Sequence, residues 1–142
     1  MPAKLLFVDD DAVVLEAAVR MFSDRYIVIT APNGREALET MKCHQDICVV
    51  VSDLSMPGMC GFEFLKKAAT LLPKATKMML TSSEEHELAI RAVEESNVFY
   101  FLNKPCSPQM LVKSVDSAVE LQTLERKLAK IKAGLRRSAA SA

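Results

Sequence analysis

Short apolar runs alternate with amphipathic helical segments along this chain, and this alternation constrains its fold more than any other feature. Five runs have the length and the apolar or β-branched composition of buried strands; they lie at 4–8, 26–31, 47–51, 77–81 and 98–102. Apolar residues recur at helical spacing in five further segments, over 12–22, 35–42, 61–72, 84–96 and from 107 to about 137.

Strands joined one after another by helices form a parallel sheet that is covered on both faces. Right-handed crossovers leave few strand orders for five such units in about 120 residues. The sequence therefore predicts an α/β fold, a flavodoxin-like doubly wound five-stranded parallel sheet of order 2-1-3-4-5 with five helices, the last one extended.

Length and composition are those of a globular protein rather than a membrane or disulfide-stapled one. The 142 residues are 50% hydrophobic and 25% charged, which is enough for one sizeable core. No stretch of 18 apolar residues occurs, and the opening residues MPAKLLFVDDD lack the pattern of a signal peptide. The four cysteines form no CxxC pair, so we expect reduced thiols and a cytoplasmic location.

Charge is distributed unevenly although its net value is zero. Residues 121–137 contain six basic side chains and a single acidic one, Glu125, so the rest of the chain carries a net charge of −5. Within this basic segment five apolar residues, here called the apolar stripe, follow the 3, 4, 3, 4 spacing of a coiled-coil a/d pattern over about two heptads: Leu121, Leu124, Leu128, Ile131 and Leu135.

This pattern leaves three interpretations of the segment open. It pairs with a second copy or leads to an output domain, it folds back on its own domain, or it is disordered. The last residues, 138–142, are predicted to be a disordered tail. No helix-turn-helix fits in the chain, which argues against nucleic acid as a partner despite the basic side chains.

Polar side chains follow four of the five predicted strands. Because ligands bind beyond the carboxyl ends of the strands in doubly wound sheets, we expect these side chains to meet at one edge. They are Asp9 and Asp10 after the first strand, Asp53 after the third, Thr81 and Ser82 after the fourth, and Asn103, Lys104 and Pro105 after the fifth.

Three carboxylates and an ammonium group at one edge indicate phosphoryl chemistry with a metal ion. Crowded carboxylates raise one another's pKa unless a cation lies among them, and Mg²⁺ suits a site with few carboxylates and several waters. Asp53 is the nucleophile candidate because a carboxylate can form an acyl phosphate. Lys104 and the hydroxyl of Thr81 would neutralise and orient phosphoryl oxygens. Gly61 is expected to let the chain turn before the next helix.

Four motifs, in this order, carry a resemblance to a known family. They are VDD at 8–10, DLSMPGMCG at 53–61, LTS at 80–82 and FLNKP at 101–105. The sequence resembles the receiver domain of two-component response regulators, and the resemblance covers roughly residues 4–120. It implies a receiver domain at 1–120 followed by a basic helical extension at 121–137.

The resemblance implies that Asp53 accepts a phosphoryl group from a histidine kinase or a histidine phosphotransfer protein. It also implies a Mg²⁺ ion bound directly by Asp10, Asp53 and the backbone carbonyl of Ser55, with Asp9 holding it through water.

Further roles follow from the resemblance. Lys104 would pair with the phosphoryl group, and the backbone groups of Leu54 and Ser82 would contact it. Thr81 would move towards it and Phe101 would change rotamer in response. Phe101 departs from the tyrosine that is often found at this position, so it lacks a hydroxyl. Phosphorylation would switch a protein-interaction surface. The expected partners are a second copy of the chain, through residues 85–135, and a downstream output domain or effector protein. No membrane partner is expected.

Two other function classes fit the sequence less well than a phosphoacceptor. A Mg²⁺-dependent phosphohydrolase with an aspartyl nucleophile characteristically has a second Asp two positions on, where this chain has Ser55. An unphosphorylated receiver-like interaction module typically lacks an acidic residue or the lysine, and both are present here. An acid at a strand–helix junction can also be a simple helix cap, which is the role predicted for Asp11. We therefore expect a signalling phosphoacceptor rather than an enzyme.

Overall fold

Five parallel strands form a single sheet of order β2-β1-β3-β4-β5. The computed structural model describes residues 2–54, 56, 58–82, 100–104 and 106–141. The strands are β1 Lys4–Val8, β2 Ile27–Ala31, β3 Ile47–Asp53, β4 Thr76–Thr81 and β5 Tyr100–Asn103. The strand order and the parallel pairing confirm the predicted fold class.

Four helices lie within the described residues: α1 Ala12–Phe22, α2 Gly34–Cys43, α3 Gly61–Leu71 and α4 Pro108–Ser141. The helix predicted over 84–96 lies outside the described residues, as do the first two residues of the strand predicted at 98–102. Asp11 caps α1 by accepting a hydrogen bond from the backbone N–H of Val13 at 3.0 Å, as predicted.

The sheet separates two apolar cores. One face packs against α2 and α3 and buries Phe64 and Met79; the other packs against α1 and α4 and buries Phe22 and Met78. All seven residues of β3 are buried, because this central strand has neighbours on both sides and helices on both faces. Asp53 therefore stands at the end of the most enclosed strand of the fold.

The buried faces of two helices depend on the elements packed against them. On α1, Val13 and Val14 are apolar but 66% and 40% exposed, because the first turn of the helix follows directly after the edge of the sheet. On α3 the residues Phe64, Leu65 and Ala68 are fully buried. Periodicity gives the width of an apolar face, while contact with α2 and the sheet sets its direction.

Helix α4 has 34 residues and is therefore about 51 Å long. Its first part packs on the sheet through Val115, Ala118 and Gln122, which are buried. Residues 138–141 belong to the helix, in contrast to the disordered tail that the sequence predicted; two of these residues are alanine, the strongest helix former. Among the described residues, no helix is both long enough and apolar enough to span a bilayer.

The apolar stripe is exposed along α4. Its five side chains are between 40% and 65% accessible, so among the described residues the stripe does not fold back onto its own domain.

A polar cluster ties α4 to the turn between α1 and β2. The hydroxyl of Tyr26 donates to Oδ1 of Asp116 at 2.5 Å, and Nη1 of Arg25 donates to Oδ2 at 2.7 Å. Burial and the bond to Asp116 raise the pKa of Tyr26 to about 12. Burial alone would raise the pKa of Asp116, but the hydrogen bonds from Tyr26 and Arg25 lower it below its ordinary value.

Candidate functional site

Asp9, Asp10 and Asp53 meet at the carboxyl edge of the sheet, where β1 and β3 end side by side. Each residue contributes a carboxylate oxygen, and these oxygens lie within 4.8 Å of one another. Asp9 and Asp53 are buried, whereas Asp10 is exposed. These three residues are called the acidic cluster below. Oxygen donors at this separation are the ligands that a hard divalent cation such as Mg²⁺ prefers, so the residues fit the expected ion.

Backbone hydrogen bonds fix Asp9 in the acidic cluster. Its Oδ1 accepts from the N–H of Asp11 at 2.9 Å, and its own N–H donates to the carbonyl of Ala31 at 3.2 Å. Burial raises the pKa of Asp9; the N–H of Asp11 opposes this, and the negative charge of Asp53 adds to it. Holding a buried carboxylate beside other carboxylates is costly, and a bound cation would offset that cost.

Lys104 lies next to the acidic cluster, on the side of Asp53. Its Nζ donates a hydrogen bond to Oδ1 of Asp53, and its backbone N–H donates to the carbonyl of Thr81 at 2.7 Å. Thr81 is 1% exposed and Asp53 is 5% exposed, so both are buried at the ends of their strands. The lysine side chain is 38% exposed, which leaves its ammonium group accessible from solvent.

The backbone of Leu54, predicted to contact a phosphoryl group, follows Asp53 at the edge of the sheet. Its N–H donates to the carbonyl of Leu80 at 3.1 Å. This bond extends the β3–β4 ladder one residue beyond Asp53, so the amide points towards β4. Ser82 follows β4 at the same edge and is half-buried, whereas Ser55 lies outside the described residues.

Two glycines shape the loop that follows Asp53, each for a different reason. Gly58 has a φ of +83°, a conformation that residues with a side chain rarely adopt. Gly61 donates its N–H to the carbonyl of Leu54 at 2.8 Å, and a Cβ built on it would lie 2.2 Å from the carbonyl oxygen of Asp53. The sequence predicted Gly61 as a turn residue, but the structure shows that close backbone approach is what requires it.

An open cleft of about 480 Å³ lies over the acidic cluster. Sequence reasoning gave no role in the site to four of the residues that line it, because their side chains carry no charge or metal-binding oxygen: Val14, Leu80, Cys106 and Leu111. Burial raises the pKa of the Cys106 thiol, so this group stays protonated at neutral pH. A cleft with a carboxylate and an ammonium group at its floor, and apolar side chains at its wall, can receive a small anionic group.

Phe101 and Thr81 lie on the same face of the sheet. Phe101 is paired with Met79 and Asn103 with Thr81, and alternate residues of a strand share a face. Phe101 is half-buried against the core on that face. Thr81 and the ring of Phe101 are therefore separated by one residue pair along the β4–β5 ladder.

Comparison with known proteins identifies the family. The model of the response regulator receiver domain matches residues 5–116, which is most of the chain. The chain belongs to the response regulator receiver family. This confirms the resemblance drawn from the four motifs, and the matched region contains every residue of the site described above.

Similarity to individual proteins is consistent with membership of this family. The receiver is 33% identical to the two-component response regulator ORR3 of Oryza sativa subsp. indica, over 73% of this chain and 81% of that protein. It is 29% identical to the hydrogenase transcriptional regulatory protein HoxA of Cupriavidus necator, over 96% of this chain and 28% of that protein. A crystal structure of a receiver domain protein from Clostridium thermocellum superposes with a TM-score of 0.80 at 28% identity, covering 86% and 98% of the two chains.

The receiver spans only part of the curated proteins that it matches first. It corresponds to between 25% and 32% of the length of several transcriptional regulators, HoxA among them. The activities of those whole proteins therefore enter only as proposals for this chain.

Proposed function

We propose that the protein is a phosphorylation-dependent signalling receiver in which Asp53 accepts the phosphoryl group. One observation carries this proposal: the buried Asp53 carboxylate lies within reach of two further carboxylates and is hydrogen-bonded to the Lys104 ammonium group. In the transfer, an oxygen of Asp53 would attack phosphorus, the bond to the donor nitrogen would break, and the donor would leave as a free imidazole.

Mg²⁺ is the proposed cofactor, and it would supply neutralisation of the phosphoryl oxygens. Asp10 and Asp53 are proposed as direct ligands with the carbonyl of Ser55, and Asp9 is proposed to act through water. The exposure of Asp10 supports the first assignment, because its carboxylate is reachable from the cleft. The backbone bonds that hold Asp9 support the second, since they keep it in place without the ion.

Lys104 and Thr81 are proposed to hold the transferred group. The ammonium group of Lys104 would exchange its bond with Asp53 for one to a phosphoryl oxygen. The hydroxyl of Thr81 would then turn towards the phosphoryl group, with the backbone of Ser82 beside it. Because Phe101 lies on the same face of the sheet as Thr81, its ring is proposed to move into the space that the hydroxyl leaves.

The upstream partner is proposed to be a sensor histidine kinase or a histidine phosphotransfer protein. The downstream partner is proposed to be an output domain or a separate effector, by analogy with the longer regulators that the chain partly spans. A cytoplasmic location is also proposed; the thiols are free in the described structure, as in a reducing compartment. Binding to nucleic acid is not part of the proposal.

Phosphorylation with a small donor tests the central assignment. Wild-type protein incubated with acetyl phosphate and Mg²⁺ is expected to gain the mass of one phosphoryl group, as measured by intact mass spectrometry. Asp53→Asn is expected to lose this gain. Asp24→Asn is the matched control, because it removes an exposed aspartate away from the acidic cluster and is expected to be labelled as the wild type is.

Labelling of Asp53→Asn at the wild-type rate would disprove the site. No labelling of the wild type, with either the small donor or a phosphorylated histidine protein, would favour the alternative of an interaction module that is never phosphorylated. Continuous release of phosphate from many equivalents of donor, far above the amount of protein, would instead point to a phosphohydrolase.

A further inference from the structure

The apolar stripe on α4 is an interaction surface without a partner in the described structure. Its side chains are 40% exposed at Leu121, 55% at Leu124, 50% at Leu128, 59% at Ile131 and 65% at Leu135. A contiguous run of large apolar side chains on a projecting helix is a common mark of a binding surface.

From Leu124 onward the stripe faces away from the domain. Val115, Ala118 and Gln122 define the side of α4 that packs on the sheet. With 3.6 residues in each turn, Leu124 and Leu128 project from roughly the opposite side of the helix. Leu121 lies beside the receiver body, where it lines a cavity with Pro73 and Thr76. A second helix can therefore lie along the stripe from Leu124 to Leu135 without meeting that body.

The spacing of the stripe matches a second helix with the same spacing, so a second copy of this chain is the simplest occupant. With Leu121, Leu128 and Leu135 at a positions, the flanking g positions hold Glu120 and Lys127. The flanking e positions hold Glu125 and Lys132. These four charges decide how two copies can be oriented.

A parallel pair brings like charges together. In that arrangement a g residue faces the e residue five positions further along the other helix. Glu120 would face Glu125 of the second copy, and Lys127 would face Lys132 of the second copy. Every charged contact beside the stripe would be repulsive.

An antiparallel pair brings opposite charges together. When Leu128 lies against Ile131 of the second copy, Leu124 lies against Leu135. Glu125 then faces Lys132 of the second copy, and the symmetry repeats this pair. Lys127 faces Gly134 of the second copy and meets no charge. We propose that two copies of this chain associate through the apolar stripes of α4, running antiparallel in this register.

The charge of the rest of the chain favours the same orientation. The part outside 121–137 carries a net charge of −5, so two such bodies repel each other when they lie side by side. Antiparallel helices place the two bodies at opposite ends of the pair. About two heptads bury little surface, so the dimer is expected to depend on protein concentration.

Two charge reversals test the orientation because parallel and antiparallel pairing predict opposite signs. In sedimentation velocity over a concentration series at low salt, Lys132→Glu and Glu125→Lys are each expected to weaken the dimer about fivefold to tenfold. Each creates two like-charge contacts in the antiparallel pair. In a parallel pair the same changes would replace repulsion with attraction and strengthen the dimer.

Matched variants complete the test. The double variant E125K/K132E is expected to recover wild-type association, since it restores the attraction with the signs exchanged. Lys130→Glu changes net charge by the same amount as Lys132→Glu but lies away from the stripe, and it is expected to have little effect. Leu128→Ala is expected to abolish the dimer, while circular dichroism shows that the domain remains folded.

Three results would overturn the proposal. They are a wild-type protein that stays monomeric at every concentration, a dimer strengthened by Lys132→Glu, and a dimer unaffected by Leu128→Ala. The first would leave the apolar stripe to a different partner, the second would make the pair parallel, and the third would place the contact elsewhere.

Discussion

Replacing Gly61 with alanine is expected to damage both the stability and the chemistry of the receiver. The added Cβ would lie 2.2 Å from the carbonyl oxygen of Asp53 and 2.7 Å from the Cα of Leu54. Non-bonded heavy atoms rest at about 3.5 Å, so the two segments must separate by about 1 Å. The obstructing atoms belong to the backbone, and no side-chain rotation can relieve the contact.

The cost can be estimated from this displacement. Overpacking of a closed site typically costs about 1–3 kcal/mol, and a backbone obstruction belongs at the upper end. At about 2–4 °C for each kcal/mol in a chain of this size, the melting temperature is expected to fall by about 6–12 °C. Because the end of β3 carries Asp53, a shift of about 1 Å is also expected to slow phosphorylation about 100-fold.

Two other glycines provide controls for Gly61→Ala. A Cβ on Gly58 meets nothing within 4 Å, but its φ of +83° makes Gly58→Ala cost about 1–2 kcal/mol by strain alone. A Cβ on Gly134 also meets nothing within 4 Å, and this residue lies in α4. Gly134→Ala is therefore expected to stabilise the protein by about 0.5–1 kcal/mol.

Thermal unfolding followed by circular dichroism gives the order of stabilities. Intact mass spectrometry gives the phosphorylation rates, measured at a temperature below the unfolding transitions of all the variants. The expected order is Gly134→Ala, wild type, Gly58→Ala, then Gly61→Ala. A Gly61→Ala protein as stable as the wild type would refute the obstruction. One that is destabilised but labelled at the wild-type rate would refute the link between this contact and the position of Asp53.

Three further predictions concern pH, metal and signalling. Tyr26→Phe is expected to lower stability by about 1 kcal/mol near neutral pH. The pKa of Tyr26 is about 12 in the folded protein and about 10 in the unfolded chain, so the wild type should lose its extra stability over Tyr26→Phe as the pH rises from about 10 to about 12. Identical alkaline unfolding curves for the two proteins would contradict this prediction. Mg²⁺ is expected to raise the melting temperature of the wild type by mass action and to do so much less for Asp10→Ala, and equal shifts would exclude Asp10 as a ligand. The phosphoryl mimic beryllofluoride is expected to change self-association in light scattering and to lose this effect in Lys104→Ala, whereas unchanged masses in the wild type would exclude such coupling.

Much of the site could be predicted from the sequence because it depends on local features in a fixed order. The four motifs stand where strands end, and parallel strands bring their carboxyl ends to one edge. The grouping of Asp9, Asp10 and Asp53 with Lys104 follows from that rule, and the structure shows it. The hydrogen bond from the N–H of Leu54 to the carbonyl of Leu80 could not be predicted, because one segment does not reveal how far the β3–β4 ladder continues.

The direction of each helix face was also beyond local prediction. Val13 and Val14 have the spacing of core residues but are exposed, and Val14 lines the cleft. Lys77 carries a charged side chain, which is normally exposed, yet it is 1% exposed. Its Nζ donates to the carbonyl of Leu72 at 2.7 Å, at the end of α3. Burial lowers the pKa of this lysine. Which side of a segment is covered depends on the elements that reach it from elsewhere in the chain.

The sequence by itself determined the succession of strands and helices, the chemistry at the strand ends and the apolar stripe, because each depends on residues that are close together in the sequence. Only the tertiary structure decided that Tyr26 bonds to Asp116, 90 positions away, and that Gly61 lies against the backbone of Asp53. The physical reason is that pattern and propensity act within a few residues of one another. Steric contact and hydrogen bonding act over a few ångströms, between residues that only the folded chain brings together.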